Sequence, residues 1–468
     1  MKLFDVLSNM KEFDDELITR KVKKLPFAGY LSTAKNQLFH AILKTLRGYY
    51  VAGSIDLQLQ EILQEAELLF NKSLFESCLK ITEKGKKISR ENECFVFYLH
   101  FLQWEQKILD HIAPHNKLNV DLLKKSLNEN DEGINLYINF IENKKEKFEM
   151  LFETIPYLET INEENKEKIN NYIAKDVGQE PSFRSKIMRQ MTKRHLYEKL
   201  NEPEKAHEAL ISLAAVYEKA ALVQNDFLIS YFHCLEFLAI KSMGYRDFSK
   251  ATAYIQQAGA IAENFNDSLK FIKTKLKGLI DLLTIFKWIV SGSVDENRQN
   301  IKNIESQIRH LRESYNPLWI NLVSAIAYAY FTIGDFKKSR RLFYDLLNEA
   351  EGKMLKSHVL ILKIMLIVSS YELRDYDLME HTISTLNRQL NKKEGDFLVE
   401  KQLLVFFKGL LEITDLNKKT ACFKKFRQSE PMTRLIFEPR VFNYHVWLDS
   451  KIKNTNMNDV FKGRPLRG

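Results

Sequence analysis

The sequence predicts an all-α fold, a right-handed α-solenoid of degenerate helical hairpins. Three observations carry this. First, the 468 residues include only 16 Gly and 9 Pro, well below the usual shares of about 7% and 5%. A sheet-rich chain of this size needs many more turn residues. Second, a polar turn ending in an aromatic recurs as Gly244-Tyr245-Arg246-Asp247-Phe248, Gly334-Asp335-Phe336 and Arg374-Asp375-Tyr376. Third, the segments between such turns space their apolar residues with helical periodicity. Length alone suggests about three domains at roughly 150 residues each, but a solenoid grows by stacking and escapes that count.

The elements follow in order. Residues 1–53 read as an N-terminal helical cap. Asp14 or Asp15 starts one helix, Pro26-Phe27-Ala28-Gly29 marks a turn, and Ser32 or Thr33 caps a helix through Leu38, Phe39, Ile42, Leu43 and Leu46. Residues 54–182 form a first helical-repeat section. Its opening hairpin holds Ala66, Phe75 and Cys78 around the turn Asn71-Lys72-Ser73, and Pro114 ends the next apolar stretch. Residues 116–182 are more polar, with the mixed-charge runs Lys144-Lys145-Glu146-Lys147 and Glu163-Glu164-Asn165-Lys166-Glu167-Lys168. They predict partly exposed amphipathic helices. Gly178-Gln179-Glu180-Pro181 is the clearest break. Residues 183–400 form a second, more regular section. Asn201-Glu202-Pro203 leads into a helix with Ala206, the 244–248 turn into one with Ala251, and the 374–376 turn into one with Met379, Ile383 and Leu386. Residues 401–468 read as terminal helices followed by a disordered basic tail.

Residue type at each spacing has a physical reason. The small residues Ala206, Ala251, Ala327 and Ser339 suit the places where two helices come closest. The aromatics Phe75, Phe248, Phe336 and Tyr376 suit the gap between one hairpin and the next. Gly334 and Gly244 suit the left-handed conformation that ends a helix without a Cβ penalty, and Asp335 suits the cap of the helix that follows.

The best copy, residues 326–346, carries Ile326, Ala327, Tyr330, Gly334-Asp335-Phe336, Ser339, Phe343 and Leu346. It resembles the tetratricopeptide consensus at most signature positions. It departs at Glu351, where that consensus has proline, and in spacing. Phe336 and Tyr376 lie 40 residues apart and Pro203 and Phe248 lie 45 apart, against a tetratricopeptide period of about 34. Over Leu38–Tyr50, Asp56–Glu105 and Trp447-Leu448-Asp449-Ser450-Lys451 the chain is also similar to a set of uncharacterised bacterial helical-repeat proteins. That resemblance implies a fold and no activity.

The formal charge of +9 is uneven. Residues 1–50 hold nine Lys/Arg against five Asp/Glu and residues 401–468 hold fourteen against six, so the ends carry +4 and +8 and the middle −3. Such a balance admits a nucleic-acid partner without requiring one. Cys78, Cys94, Cys234 and Cys422 are far apart and form no CxxC pair, which suits free thiols in a reducing compartment. The apolar stretch Leu279–Val290 is broken by Asp281 and Lys287 and is too short to span a bilayer. With no apolar core of signal-peptide length near Met1, a cytoplasmic location without membrane contact is expected.

No chemistry is legible. His111 and His115 are separated by Pro114 and lack an HExxH frame. His233 and Cys234 are helix neighbours that point apart. Neither GxGxxG nor GxxxxGK[ST] occurs. The expectation is therefore no catalytic, cofactor-binding or metal residue, no cofactor, and a non-catalytic scaffold or adaptor that binds a protein or peptide. The alternative is a transcriptional regulator in which Lys35, Lys44 and Arg47 contact DNA and the solenoid senses a ligand. The sequence leaves the oligomeric state open.

Overall fold

The computed structural model describes residues 2–8, 10, 14–23, 25–50, 54–112, 117–150, 163–174, 180–221, 227–264, 270–313, 318–350, 352, 354, 356–391, 398–429, 432 and 442–464. Among these residues every regular element is helical. In chain order they are α1 (Lys2–Ser8), α2 (Asp15–Val22), α3 (Leu31–Tyr50), α4 (Ile55–Asn71), α5 (Phe75–Glu91), α6 (Phe95–Ile112), α7 (Lys117–Phe148), α8 (Glu163–Ala174), α9 (Phe183–Lys199), α10 (Pro203–Ala221) and α11 (Leu228–Gly244). Then come α12 (Phe248–Glu263), α13 (Lys270–Ser291), α14 (Arg298–Glu313), α15 (Leu318–Thr332), α16 (Phe336–Ala350), α17 (Lys356–Glu372), α18 (Tyr376–Asn391), α19 (Leu398–Leu411), α20 (Leu416–Arg427), α21 (Tyr444–Lys453) and α22 (Met457–Lys462). None is long and apolar enough to cross a membrane. Pro114, His115, Gly178, Gln179 and residues 465–468 of the tail lie outside the described residues. The chain divides into two compact units, residues 1–199 with 218–227, and residues 200–217 with 228–468.

The turns share one backbone device. Ser73, Glu93, Arg246, Gly334 and Arg374 all take the left-handed conformation, with φ between 52° and 84°. In each case the next residue donates its N–H to the carbonyl five positions back: Leu74 to Leu69, Cys94 to Ser89, Asp247 to Ser242, Asp335 to Tyr330 and Asp375 to Ser370, at 2.8–3.0 Å. This is the Schellman closure, which satisfies carbonyls orphaned at a helix end. The donor's own carbonyl then opens the following helix, accepting from Cys78, Tyr98, Ala251, Ser339 and Met379. One residue thus ends one helix and starts the next. The Asp247, Asp335 and Asp375 side chains also accept the Lys250, Lys338 and Leu378 N–H groups, respectively. The expected left-handed Gly244 is corrected here. It is the last residue of α11, and Arg246, with φ 62°, makes the reversal instead.

In the first unit, α1–α3 gather around buried Leu3, Ile18 and Val22. Asp14 caps α2 by accepting from the Glu16 and Leu17 N–H groups at 2.9 and 3.1 Å. A short 3-10 turn over Ala28–Tyr30 feeds α3, which begins before Ser32. From α4 to α7 each helix packs on the next. Gly85 allows the buried Phe101 ring onto the α5 backbone, and a Cβ there would lie 2.3 Å from it. Buried Lys86 joins α5, α6 and α7 by reaching Glu83, Glu105 and Glu129 at 2.7–2.9 Å. Burial opposes its charge, but the three carboxylates prevail and raise its pKa above the ordinary lysine range. Near the expected break, buried Arg189 binds Glu180 at 2.6 Å and Asn143 at 2.8 Å. Glu93 accepts the Phe183 and Arg184 N–H groups at 2.8 Å, closing the start of α9.

Among the described residues the largest core lies in the second unit, running from Ala239 to Phe461. Consecutive helices again pack in succession, α11 on α12, α12 on α13, and α15 through α19 each on the next. The last two helices return to earlier turns. Arg246 donates to the carbonyls of Val290 and Phe461 at 3.0 and 2.9 Å. Gly292, with φ 72°, lies so close to α22 that a Cβ would sit 2.5 Å from the Asn458 carbonyl. Glu372 accepts from Trp447 Nε1 at 2.7 Å and Lys451 Nζ at 2.6 Å.

The shared turn predicts opposite effects at two of its sites. Gly334 has open space around its Cα, so Gly334→Ala meets only left-handed strain and costs about 1–2 kcal/mol. Ser73→Gly relieves the same strain, offset by the greater freedom of unfolded glycine, for a gain below about 1 kcal/mol. Urea unfolding followed by circular dichroism measures both.

Candidate functional site

The second unit contains an apolar groove of about 410 Å³, within the usual range of about 300–1,000 Å³ for ligand sites. Helical periodicity builds its walls. From α13 come Leu279, Leu282 and Phe286, and from α17 His358, Ile361, Leu362 and Met365. Residues three, four and seven apart share one helix face, so each set forms a continuous stripe. Buried Phe343 of α16 and Phe442 complete the apolar lining.

Its floor is α15. Every residue of this helix is buried except Asn321 and Ser324, and both line the groove. A helix apolar all round belongs inside a protein; here its two breaks in apolarity coincide with the open face. Ser324 returns its hydroxyl to the Ile320 carbonyl at 2.9 Å. Asn321 and His358 are exposed, with no side-chain hydrogen bond among the described residues. Tyr328 is buried and accepts the Asn443 N–H at 3.0 Å. Burial pushes its phenol far above the ordinary range, so it stays neutral. Glu236 supplies the carboxylate of the lining and pairs with His233 Nδ1 at 3.0 Å. The result is a mostly aliphatic and aromatic trough with amide, imidazole, phenol and carboxylate groups, a lining suited to a largely apolar ligand with few polar atoms.

A smaller cavity of about 290 Å³ lies in the first unit between Asp56, Glu93, Phe95, Tyr137 and Arg184. Of its charged residues, Glu93 is occupied in capping α9.

The residues anticipated from sequence sit mostly in packing roles. Ala66, Cys78, Ala206, Ala251, Ala327, Ser339 and Phe343 are buried. Tyr330 is buried, and its hydroxyl meets Lys338 Nζ at 2.8 Å and Glu305 at 3.2 Å. Phe248, Phe336, Phe75 and Tyr376 each open a helix directly after a turn. The expectation set these rings between neighbouring hairpins. Phe336 lies edge-on to Phe331 of its own hairpin at 4.9 Å and under Lys451 of α21 at 6.0 Å, while Phe75 meets both Phe70 of its own hairpin and His111 of α6. Of the signature set, only Phe343 reaches the groove. Asn321, Ser324, Tyr328, Glu236 and His358 were missed. The signal available was the pair of polar residues interrupting an otherwise apolar helix.

Lys35 forms an ion pair with Asp15, Lys44 is exposed, and the Arg47 side chain lies outside the described residues. His233 and Cys234 diverge, the first to Glu236 and the second to the Leu210 carbonyl at 3.8 Å. All four cysteines are free thiols. Among the described residues no three His, Cys, Asp or Glu side chains gather as a metal site. No protein-family model matches the chain, and no curated protein matches it either.

Asp281 sits on α13 beside the groove-lining Leu279 and Leu282. Burial raises its carboxyl from 3.8 to about 6, with Lys277 pulling the other way. Between about pH 4 and pH 6 the folded chain keeps a proton that the unfolded chain releases. Its stabilising contribution is therefore complete below about pH 4 and lost as pH rises through 6. Asp281→Asn is expected to be more stable than the parent at pH 7, by about 1 kcal/mol after allowing for partial solvation. The difference should close by pH 4, and urea unfolding at both pH values tests this.

Proposed function

We propose that the chain is a non-catalytic helical-repeat scaffold or adaptor, tetratricopeptide-like and wound as a right-handed solenoid, whose second unit holds an apolar segment of a protein or peptide partner. The observation that carries the reading is the groove itself. Stripes from α13, α15 and α17, the alternate helices of this part of the chain, converge on one trough, and the recurrence of one turn geometry supports a stacked-hairpin origin for that convergence. Aliphatic anchors of the partner would fill the space beside Leu282, Ile361 and Met365. Asn321 and His358, with no side-chain hydrogen bond among the described residues, would meet its backbone. A reducing, cytoplasmic setting belongs to the same proposal and is supported by the four free thiols.

Selection from a random peptide display library against the full chain tests it. Enriched peptides should carry two or more aliphatic anchors. Binding should weaken at least about tenfold, or roughly 1.4 kcal/mol, in Asn321→Trp, which fills the mouth of the groove from an exposed position. Leu416→Ser, at a site 77% exposed and outside the groove, should bind as the parent does. Absence of any selected peptide, or peptides indifferent to Asn321→Trp, would refute the groove as the binding site.

A further inference from the structure

Helix α7 carries a second feature, independent of the groove. Val120, Leu127, Ile134, Ile141 and Phe148 follow one another at seven-residue intervals. Their exposures are 41, 49, 38, 40 and 56%. Four residues after the first four of them stand Lys124, Asp131, Ile138 and Lys145, and Ile138 is 47% exposed. The alternating four-three spacing makes one seam. The flank of α7 that packs within the unit is different, with buried Ser126, Gly133 and Asn143. An ideal helix drifts about 20° per heptad, so a strict seven-residue repeat stays in line only against another long helix that coils with it. A strand or a compact ligand does not call for that spacing.

The charges in the seam select the partner helix. A parallel second copy would set Lys124, Asp131 and Lys145 each against its own like. An antiparallel second copy centred on Ile138 sets Asp131 opposite Lys145 of the second copy, and the two-fold axis makes this pair twice. The same alignment brings Ile134 to within one residue, about 1.5 Å, of the level of Ile141 and Leu127 equally close to that of Phe148, with Ile138 against itself on the axis. Every apolar seam residue from Leu127 to Phe148 then has an apolar seam residue within one residue of its level, over about 32 Å of helix. Lys145 already approaches Glu149 at 3.7 Å, but its side chain is 77% exposed, and such surface pairs contribute little. This self-complementary match is the property an isologous contact requires. We propose that the chain associates with a second copy of itself through antiparallel α7 helices, about a two-fold axis at Ile138.

Sedimentation of the full chain at about 1–100 µM tests the proposal, a range that spans moderate dimer affinities. The mass should be twice the 55.0 kDa of one chain. Ile134→Glu with Ile138→Glu should give a monomer with unchanged helical content, since both positions are exposed. Asp131→Lys should weaken the dimer about tenfold, and adding Lys145→Asp to it should restore the parent affinity. Under oxidation Ile138→Cys should cross-link copy to copy through the introduced thiols, whereas Val120→Cys should not. A chain monomeric across the range, a dimer indifferent to the paired Glu substitutions, or a charge exchange that fails to restore association would each overturn the proposal. A helix of some other protein captured on α7 by a monomeric chain counts among those refuting results.

Discussion

Everything in this fold depends on how the chain reverses between helices. A helix ends with unsatisfied carbonyls, and the one that follows begins with unsatisfied N–H groups. At residues 73–75, 93–95, 246–248, 334–336 and 374–376 both needs are met within three residues by one left-handed position and one six-to-one hydrogen bond. Because the same residue closes one helix and opens the next, the register between the paired helices is fixed by the backbone. Buried positions such as Cys78, Ala251 and Ser339, each bonded to the opening carbonyl, therefore arrive at equivalent places in successive turns. Side-chain packing then refines an arrangement the turns have already limited.

The two units use polar chemistry differently. In the first, cores are small and helices are tied by buried charges: Lys86 among three glutamates, and Arg189 between Glu180, Glu146 and Asn143. Such networks penalise the loss of one partner heavily because the other charge remains buried. In the second, one large apolar core dominates, and polar groups concentrate at turns, at the returning terminal helices and along the groove.

Much of the fold was legible in the sequence for local reasons. Helical class followed from apolar spacing and scarce Gly and Pro. The turns at 244–248, 334–336 and 374–376 were found through their aspartates and aromatics. The residue that reverses the chain was read correctly only at Gly334, because Ser73, Glu93, Arg246 and Arg374 take the same conformation without glycine's signature. The groove was hidden for another reason. Its walls come from helices spread between Glu236 and Phe442, and no local pattern says which helices meet. The spacing along α7 was present in the sequence, but exposure separates an open seam from an internal one, and exposure is a property of the folded unit.

The return of the terminal helices has a consequence for biosynthesis. Phe442 forms part of the groove wall, and α22 seats against Gly292 and Arg246, more than 160 residues upstream. A ribosome-bound chain that has already made α11 to α18 still lacks that wall and leaves the Val290 end of α13 uncovered. The trough is thus completed late in synthesis, only once translation has passed α22, and fragments released early would present a half-built trough to the chaperones that meet them.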